Sequence, residues 1–273
     1  MQDGPRNVEE AAALLRAGKL CAFPTETVYG LGADATNADA VLAIYETKGR
    51  PRFNPLIVHC ADLEMAEAIA EFSPLARRVA ALWPGSLTLV LPARPDNSIA
   101  DVVQAGLDTV AVRVPDHHLA LELISAVGRP LAAPSANPSG RLSPTTAEQV
   151  RRGFAGRVPV LDGGPCTAGV ESTILRVEGE RLVQLRAGAV AREEIEQQLG
   201  IPVSVAEKDA ALAAPGMMTS HYAPGAQVRL NAEPRAGEAY LAFGRTPDFA
   251  GPMRNLSEAG DLREAARNLF SML

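Results

Sequence analysis

Lys48-Gly49-Arg50-Pro51-Arg52-Phe53-Asn54-Pro55 is the stretch on which the fold turns. Three cations fall within five residues, with prolines at 51 and 55. Proline fixes φ, removes an N–H donor and steers the preceding residue away from α geometry, so this stretch cannot be regular helix. Apolar Leu56 to Val58 follow and His59 closes the run. A rigid basic loop feeding a strand suggests an anion site at a sheet edge, with a triphosphate as the obvious anion. A solvated basic loop is the plain alternative.

Around this loop, strand and helix patterns interleave. Asn7 and Glu10 have capping-box spacing before a helix that runs to Gly18. Leu20 to Phe23 reads as a short strand, and PTETVYGLGADATN as a loop rich in Gly and Thr. Helices are expected over 38–47, 63–72, 75–82, 117–127, 146–152 and 192–199. Strands are expected over 56–59, 87–91, 109–114, 131–133, 158–161, 172–177 and 181–185. The irregular alternation argues for a twisted mixed α/β sheet with flanking helices rather than a doubly wound one. Ala-rich, Pro- and Gly-punctuated 204–226 reads as a linker, longer than most loops inside a domain. The expected division is a catalytic domain over 1–203, the linker, and a partial domain over 227–273 patterned strand, strand, helix. In that last helix Leu262, Ala266, Leu269 and Phe270 form an apolar stripe.

The composition, 47% hydrophobic and 21% charged over 273 residues, supplies enough core for one large domain or two small ones. A net charge of −6 confines any nucleic-acid contact to a local patch. Cys21, Cys60 and Cys166 are odd in number and show no CxxC pairing, which disfavours a disulfide framework or a zinc site and fits a reducing cytoplasm. No apolar run reaches the ~18 to 20 residues a bilayer requires, and residues 1–10 lack a signal-peptide pattern.

Gly30-Leu31-Gly32-Ala33-Asp34-Ala35 matches a dinucleotide fingerprint. Thr36 and Asn37 separate it from the next helix, no acidic residue ends a second strand at the expected distance, and a lone fingerprint is weak. On strand 109–114, Val110, Val112 and Val114 alternate with Thr109, Ala111 and Arg113. Period 2 sends the valines to the core and the others to the opposite face. Ala111 leaves room there, so Arg113 could grip a small carboxylate bidentately; an outward polar face is the alternative. Ala132 to Gly140 follows another strand, with residues small enough for a ligand to approach the backbone, and Ser135, Asn137 and Ser143 offer donors. Turn chemistry explains many of the same residues. Glu171-Ser172-Thr173 opens a strand and Arg186-Ala187-Gly188 ends the next. No catalytic triad order, HExxH pattern or metal-ligand cluster is present. The chemistry suggested is positioning and charge, which phosphoryl and nucleotidyl transfer need.

FPTETVYGLGADA, KGRPRFNPLIVH, SLTLVLP, TVAVRVPDH, APSANPSG with SPTTAEQV, VESTI and LRAG stand in the order seen in YrdC-type threonylcarbamoyl-AMP synthases, and the chain resembles that family from about Val8 to Gly200. The trailing SHYAPGA resembles its longer variant, with a linker and a Rossmann-like C-terminal domain. The resemblance implies formation of threonylcarbamoyl-AMP and pyrophosphate from L-threonine, bicarbonate and ATP, for threonylcarbamoyladenosine modification of tRNA. It implies threonine contacts from Thr27, His59, Arg113, Ser172 and the backbone near Ala133. It implies ATP contacts from Lys48, Arg50, Asn54, Thr109, Ser135, Ser143 and Arg186. Lys48 and Arg50 are expected to stabilise phosphate charge together with Mg²⁺, with no structural metal. Ser220 to Pro224 is expected to fold over the nucleotide, with Tyr222 or His221 covering it; a surface turn leading into the next domain is the plain alternative. Only about 47 residues follow the linker, below the size at which most domains fold unaided, so the C-terminal domain is expected to be shortened or truncated. The expected partners are the substrates and the downstream tRNA threonylcarbamoyl-transfer machinery, with no membrane; direct tRNA binding stays open. A non-catalytic RNA-binding module of the same fold is the competing class, disfavoured by acidity and by an aromatic content of 4%. A carbamoyl-transfer domain of a larger enzyme would require zinc-finger or acylphosphatase-like segments.

Overall fold

The computed structural model describes residues 4–206 and 226–273. Residues 207–225, most of the expected linker and including His221 and Tyr222, lie outside the described residues. The chain runs α1 (Val8–Arg16), β1 (Cys21–Phe23), β2 (Gly30–Asp34), α2 (Ala38–Lys48), β3 (Ile57–His59), α3 (Leu63–Glu67), α4 (Pro74–Ala80), β4 (Leu87–Pro92) and β5 (Thr109–Arg113). It continues through α5 (His118–Val127), β6 (Leu131–Ala132), α6 (Ala147–Gly153), β7 (Thr173–Glu178), β8 (Arg181–Arg186), α7 (Arg192–Leu199) and β9 (Val203–Val205). After residue 226 come β10 (Tyr240–Ala242), β11 (Met253–Asn255) and α8 (Leu262–Met272).

Nine strands form one sheet in the order β1-β2-β6-β3-β5-β4-β7-β8-β9. Parallel pairs (β3 with β5, β4 with β7, β8 with β9) alternate with antiparallel ones, so the sheet is mixed, as the irregular sequence alternation implies. Val110, Val112 and Val114 enter the main core. On the other face Ile57, Val90, Ala111 and Ile174 make a small apolar patch. Ile57 of that patch lines the cleft described below, and period 2 along β3 and β5 sets His59 and Arg113 on the same face.

Local chemistry fixes the element ends. Asn37 Oδ1 accepts from the Ala40 N–H at 3.1 Å to start α2. Gly49, in the left-handed region at φ 63°, ends it, with its N–H and that of Arg50 donating back to Glu46 and Tyr45 carbonyls. At α1, Asn7 Oδ1 accepts from Glu10 N–H, but the Glu10 carboxylate returns to the Arg6 N–H, one residue short of a full capping box.

Several expectations are corrected. Residues 30–34 are strand β2, antiparallel to β1, and not part of a loop. This also removes the dinucleotide fingerprint, because a Cβ on Gly32 would lie 2.8 Å from the Phe23 ring. These glycines serve strand packing. β3 lies inside the sheet between β6 and β5, so the basic loop does not feed an edge. The helix expected over 63–72 stops at Glu67. Residues 158–161 contribute a single bridge, Val160 to Ala22, rather than a strand. β9 was not foreseen, and it draws Ser204 and Val205, expected in the linker, into the sheet.

In the C-terminal part β10 and β11 pair in parallel and α8 follows. α8 lies across the catalytic part: Arg263 pairs with Glu194 at 3.2 Å, and a Cβ on Gly169 would sit 2.3 Å from Arg267 Cα. Of the expected apolar stripe Phe270 is buried, whereas Leu262 is 75% exposed and Ala265 is buried in its place. No helix among the described residues is long and apolar enough to cross a membrane.

Candidate active site

A cleft of ≈ 500 Å³, counting its open mouth, opens on this face of the sheet, with Ile57 in its wall. Thr27, Arg50, His59, Arg113, Ala133, Ser135, Ser172 and Arg186, all singled out in the sequence, line it together with Glu171. They come from loops and strand ends far apart in the chain, gathered by the strand order.

One end gathers a guanidinium, two threonine hydroxyls and an imidazole. Arg113 Nη1 donates to Thr27 Oγ1 at 2.9 Å and its Nε to the Gly85 carbonyl at 3.1 Å. The Glu26 carboxylate accepts from its Nη2. Thr25 Oγ1 donates to the Val28 carbonyl, so in the 2.7 Å contact between Thr25 and Thr27 the Thr27 hydroxyl is the donor. Thr27 Oγ1 thus keeps one acceptor lone pair for a ligand hydroxyl. His59 is buried, stands edge-on to Phe23 and has an Nδ1 with no hydrogen-bond partner. Burial, aided by the Arg113 charge, depresses its pKa to about 3, so the imidazole is neutral at physiological pH. Ser172 Oγ lies 2.7 Å from Thr88 Oγ1 and accepts from Arg186 Nη2 at 3.1 Å.

The other end is cationic. Arg50 is buried, with Nε donating to the Asn54 carbonyl at 3.2 Å and Nη2 to that of Pro55 at 2.9 Å. Burial lowers its pKa to about 10, and Arg186 adds to the depression. Arg186 donates from Nε and Nη2 to the Ser172 carbonyl, tying the two ends together. Gly188 permits this arrangement, because a Cβ there would lie 2.4 Å from the Glu171 carbonyl oxygen and the Thr173 nitrogen.

Four assigned ATP contacts stand behind the lining. Lys48 is buried and donates to the carbonyls of Ser135 at 2.6 Å and Asn137 at 2.5 Å, so it fastens the 134–138 loop to the end of α2. Burial pushes its ammonium well below the ordinary lysine range, Arg50 adds to this and Glu171 opposes it. Ser143 Oγ donates to the Glu171 carboxylate at 2.5 Å. Asn54 is buried in the basic loop. Thr109 opens β5 opposite Pro92, on the expected face but outside the cleft wall. Of the three loop cations Arg52 turns outward, 66% exposed and 3.9 Å from Glu46, and adds nothing to the cleft. Tyr222 lies outside the described residues. Glu26 was missed by sequence reasoning; the signal was an acid between two threonines in a segment otherwise apolar or hydroxylic.

The family model of Sua5, YciO and YrdC proteins, described as telomere recombination, matches residues 13–188. A second, the threonylcarbamoyl-AMP synthase C-terminal domain, matches residues 190–273. Threonylcarbamoyl-AMP synthase of Bacillus subtilis is 48% identical over 229 residues, covering 82% of this chain and 66% of the relative. That of Pyrococcus abyssi is 48% identical over 235 residues, covering 82% and 68%. The chain therefore spans about two thirds of the length of these curated relatives. The crystal structure of P. abyssi Sua5 complexed with L-threonine superposes with a TM-score of 0.87 at 41% identity, covering 97% of this chain and 84% of the other. With two family models matched in tandem and this likeness in sequence and fold, the chain belongs to the threonylcarbamoyl-AMP synthase family.

Proposed function

We propose that this chain joins L-threonine, bicarbonate and ATP into threonylcarbamoyl-AMP, releasing pyrophosphate. The observation that carries the reading is one cleft with two unlike ends: Arg113, Thr27, His59 and Ser172 at one, Arg50, Arg186 and Ser135 at the other. The first suits an amino acid with a hydroxyl and the second a polyphosphate. The threonine amine and bicarbonate give a carbamate with loss of water. A carbamate oxygen attacks the α-phosphorus, and the bond to the bridging oxygen breaks as pyrophosphate leaves.

Arg50 and Arg186 supply fixed positive charge where the leaving group gains negative charge. His59, neutral in the cleft wall, places no positive charge against the substrate ammonium. Lys48 acts through the 134–138 loop, whose Ser135 lines the cleft. Among the described residues no group of three or more His, Cys, Asp or Glu is placed to hold a metal. Glu171 is the carboxylate in the wall, and with phosphate oxygens it offers the hard donors that Mg²⁺ takes. When bound, the ion would offset phosphate charge.

The product, a labile mixed anhydride, would pass to the tRNA threonylcarbamoyl-transfer machinery. A cytoplasmic setting is supported by three buried free thiols, Cys21, Cys60 and Cys166. The test is pyrophosphate release from ATP, with mass spectrometry of the nucleotide product. Release that needs both L-threonine and bicarbonate is expected. Release that ignores either co-substrate, or none at all from the folded protein, overturns the assignment.

A further inference from the structure

Arg113 lines the cleft with much of its guanidinium already committed. Three of its five N–H groups go to Glu26 Oε1, Thr27 Oγ1 and the Gly85 carbonyl, which leaves one on each terminal nitrogen. A bidentate grip by one edge of the fork, expected from the sequence, is therefore reduced to what those two hydrogens can offer. The Arg113–Glu26 pair is 3% and 9% exposed, so water hardly screens it.

Glu26 is itself anchored. Ser86 Oγ donates to its Oε1 at 2.9 Å, and its main-chain carbonyl accepts from Ala168 N–H at 2.7 Å. Its Oε2 is buried with no hydrogen-bond partner. Glu26 is not among the lining residues, so it acts through Arg113. Arg50 donates to the carbonyls of Asn54 and Pro55, and Arg186 to the carbonyl and hydroxyl of Ser172. A buried carboxylate against the third arginine makes that end of the cleft less attractive to a polyanion, while the fixed N–H groups still receive a carboxylate.

We propose that Glu26 is a positioning residue that sets the amino-acid end of the cleft apart from the phosphate end. It holds the Arg113 guanidinium in place and offsets its charge, so that threonine's carboxylate is accepted there by hydrogen bonding and phosphate is not. This rests on the reading that Arg113 receives the threonine carboxylate.

The experiment is calorimetry on the full chain with L-threonine, ATP and inorganic pyrophosphate, for Glu26→Ala and Glu26→Gln. In Glu26→Ala the L-threonine Kd should rise about tenfold or more, equivalent to about 1.4 kcal/mol, while the ATP Kd stays within about twofold of the parent. Glu26→Gln keeps the acceptor and removes the charge. It should bind L-threonine within about threefold of the parent, and pyrophosphate should now compete with L-threonine. An unchanged L-threonine Kd in Glu26→Ala overturns the proposal. Equal weakening of L-threonine and ATP also overturns it, since that marks a merely structural role. If Glu26→Ala does not fold, Glu26→Gln decides: pyrophosphate that fails to compete with L-threonine refutes the charge-offset role. Arg113→Ala separates the two levels. If it leaves L-threonine binding intact the site reading itself fails; if it abolishes binding while Glu26→Ala does not weaken it, only the role of Glu26 fails.

Discussion

His59 gives the most quantitative test of the site. It is buried at the end of β3 beside Arg113, and these surroundings hold its pKa near 3 against an ordinary 6.5. Burial is the larger cause, because it penalises the charged imidazolium, and the neighbouring guanidinium adds repulsion. A folded-state pKa below the unfolded value means that the unfolded chain binds the proton first. The stabilisation is fully present above about pH 6.5 and is lost as pH falls from there toward 3. Each pH unit in that window costs about 1.4 kcal/mol, and the whole window on the order of 5 kcal/mol. Between pH 7 and pH 5 the loss from His59 alone is about 2 kcal/mol. The protein has one tryptophan, Trp83, whose indole N–H donates to the Leu87 carbonyl at 2.7 Å beside the main core. Its fluorescence reports unfolding of the catalytic sheet without the C-terminal part. Urea titrations at pH 7, 6 and 5 should show the parent losing stability more steeply than His59→Gln, because carboxylates titrate alike in both. Parallel lines for parent and variant would show that His59 takes up a proton freely in the folded state and would refute the reasoning.

Three further outcomes are expected. Lys48→Ala and Arg50→Ala should nearly abolish synthesis, but they should also destabilise the fold. Each strips donors from two buried carbonyls, at about 1 to 3 kcal/mol for each orphaned group, and an unchanged thermal midpoint would contradict this. L-threonine should be preferred over L-valine by about 100-fold or more in kcat/KM, with L-serine between, because Thr27 Oγ1 retains an acceptor that valine leaves unpaired; equal rates with valine would place the side-chain pocket elsewhere. Gly188→Ala should weaken both L-threonine and ATP and cost about 1 to 3 kcal/mol, since its Cβ would meet backbone atoms of 171–173; calorimetry showing loss of only one ligand would detach Ser172 from Arg186.

The sequence made the chemistry of the cleft legible where residue type alone carries it. The alternation of valines with Thr109, Ala111 and Arg113 assigned two faces to β5, and the structure keeps the valines in the main core with Ala111 in the small patch on the opposite face. Pro51 and Pro55 kept most of the basic stretch out of helix, because the ring fixes φ and removes a donor, but α2 takes in Lys48 and stops only at left-handed Gly49. Composition and period say nothing, however, about which residues distant in the chain come to lie side by side. Strand order brought Ser172 and Arg186 beside Arg113, and it put β3 in the middle of the sheet. Burial then changed what the same side chains do. Lys48, read as a phosphate contact, gives two of its donors to main-chain carbonyls, while Arg52 four residues on faces water. Glu26, passed over in the sequence, becomes the partner of Arg113 because a buried guanidinium needs an acceptor and the fold places a carboxylate within reach. Residue identity thus determined which groups could bind the substrates. Tertiary structure decided which of them face the cleft and which hold the others in place, because desolvation and pairing depend on neighbours brought from elsewhere in the chain.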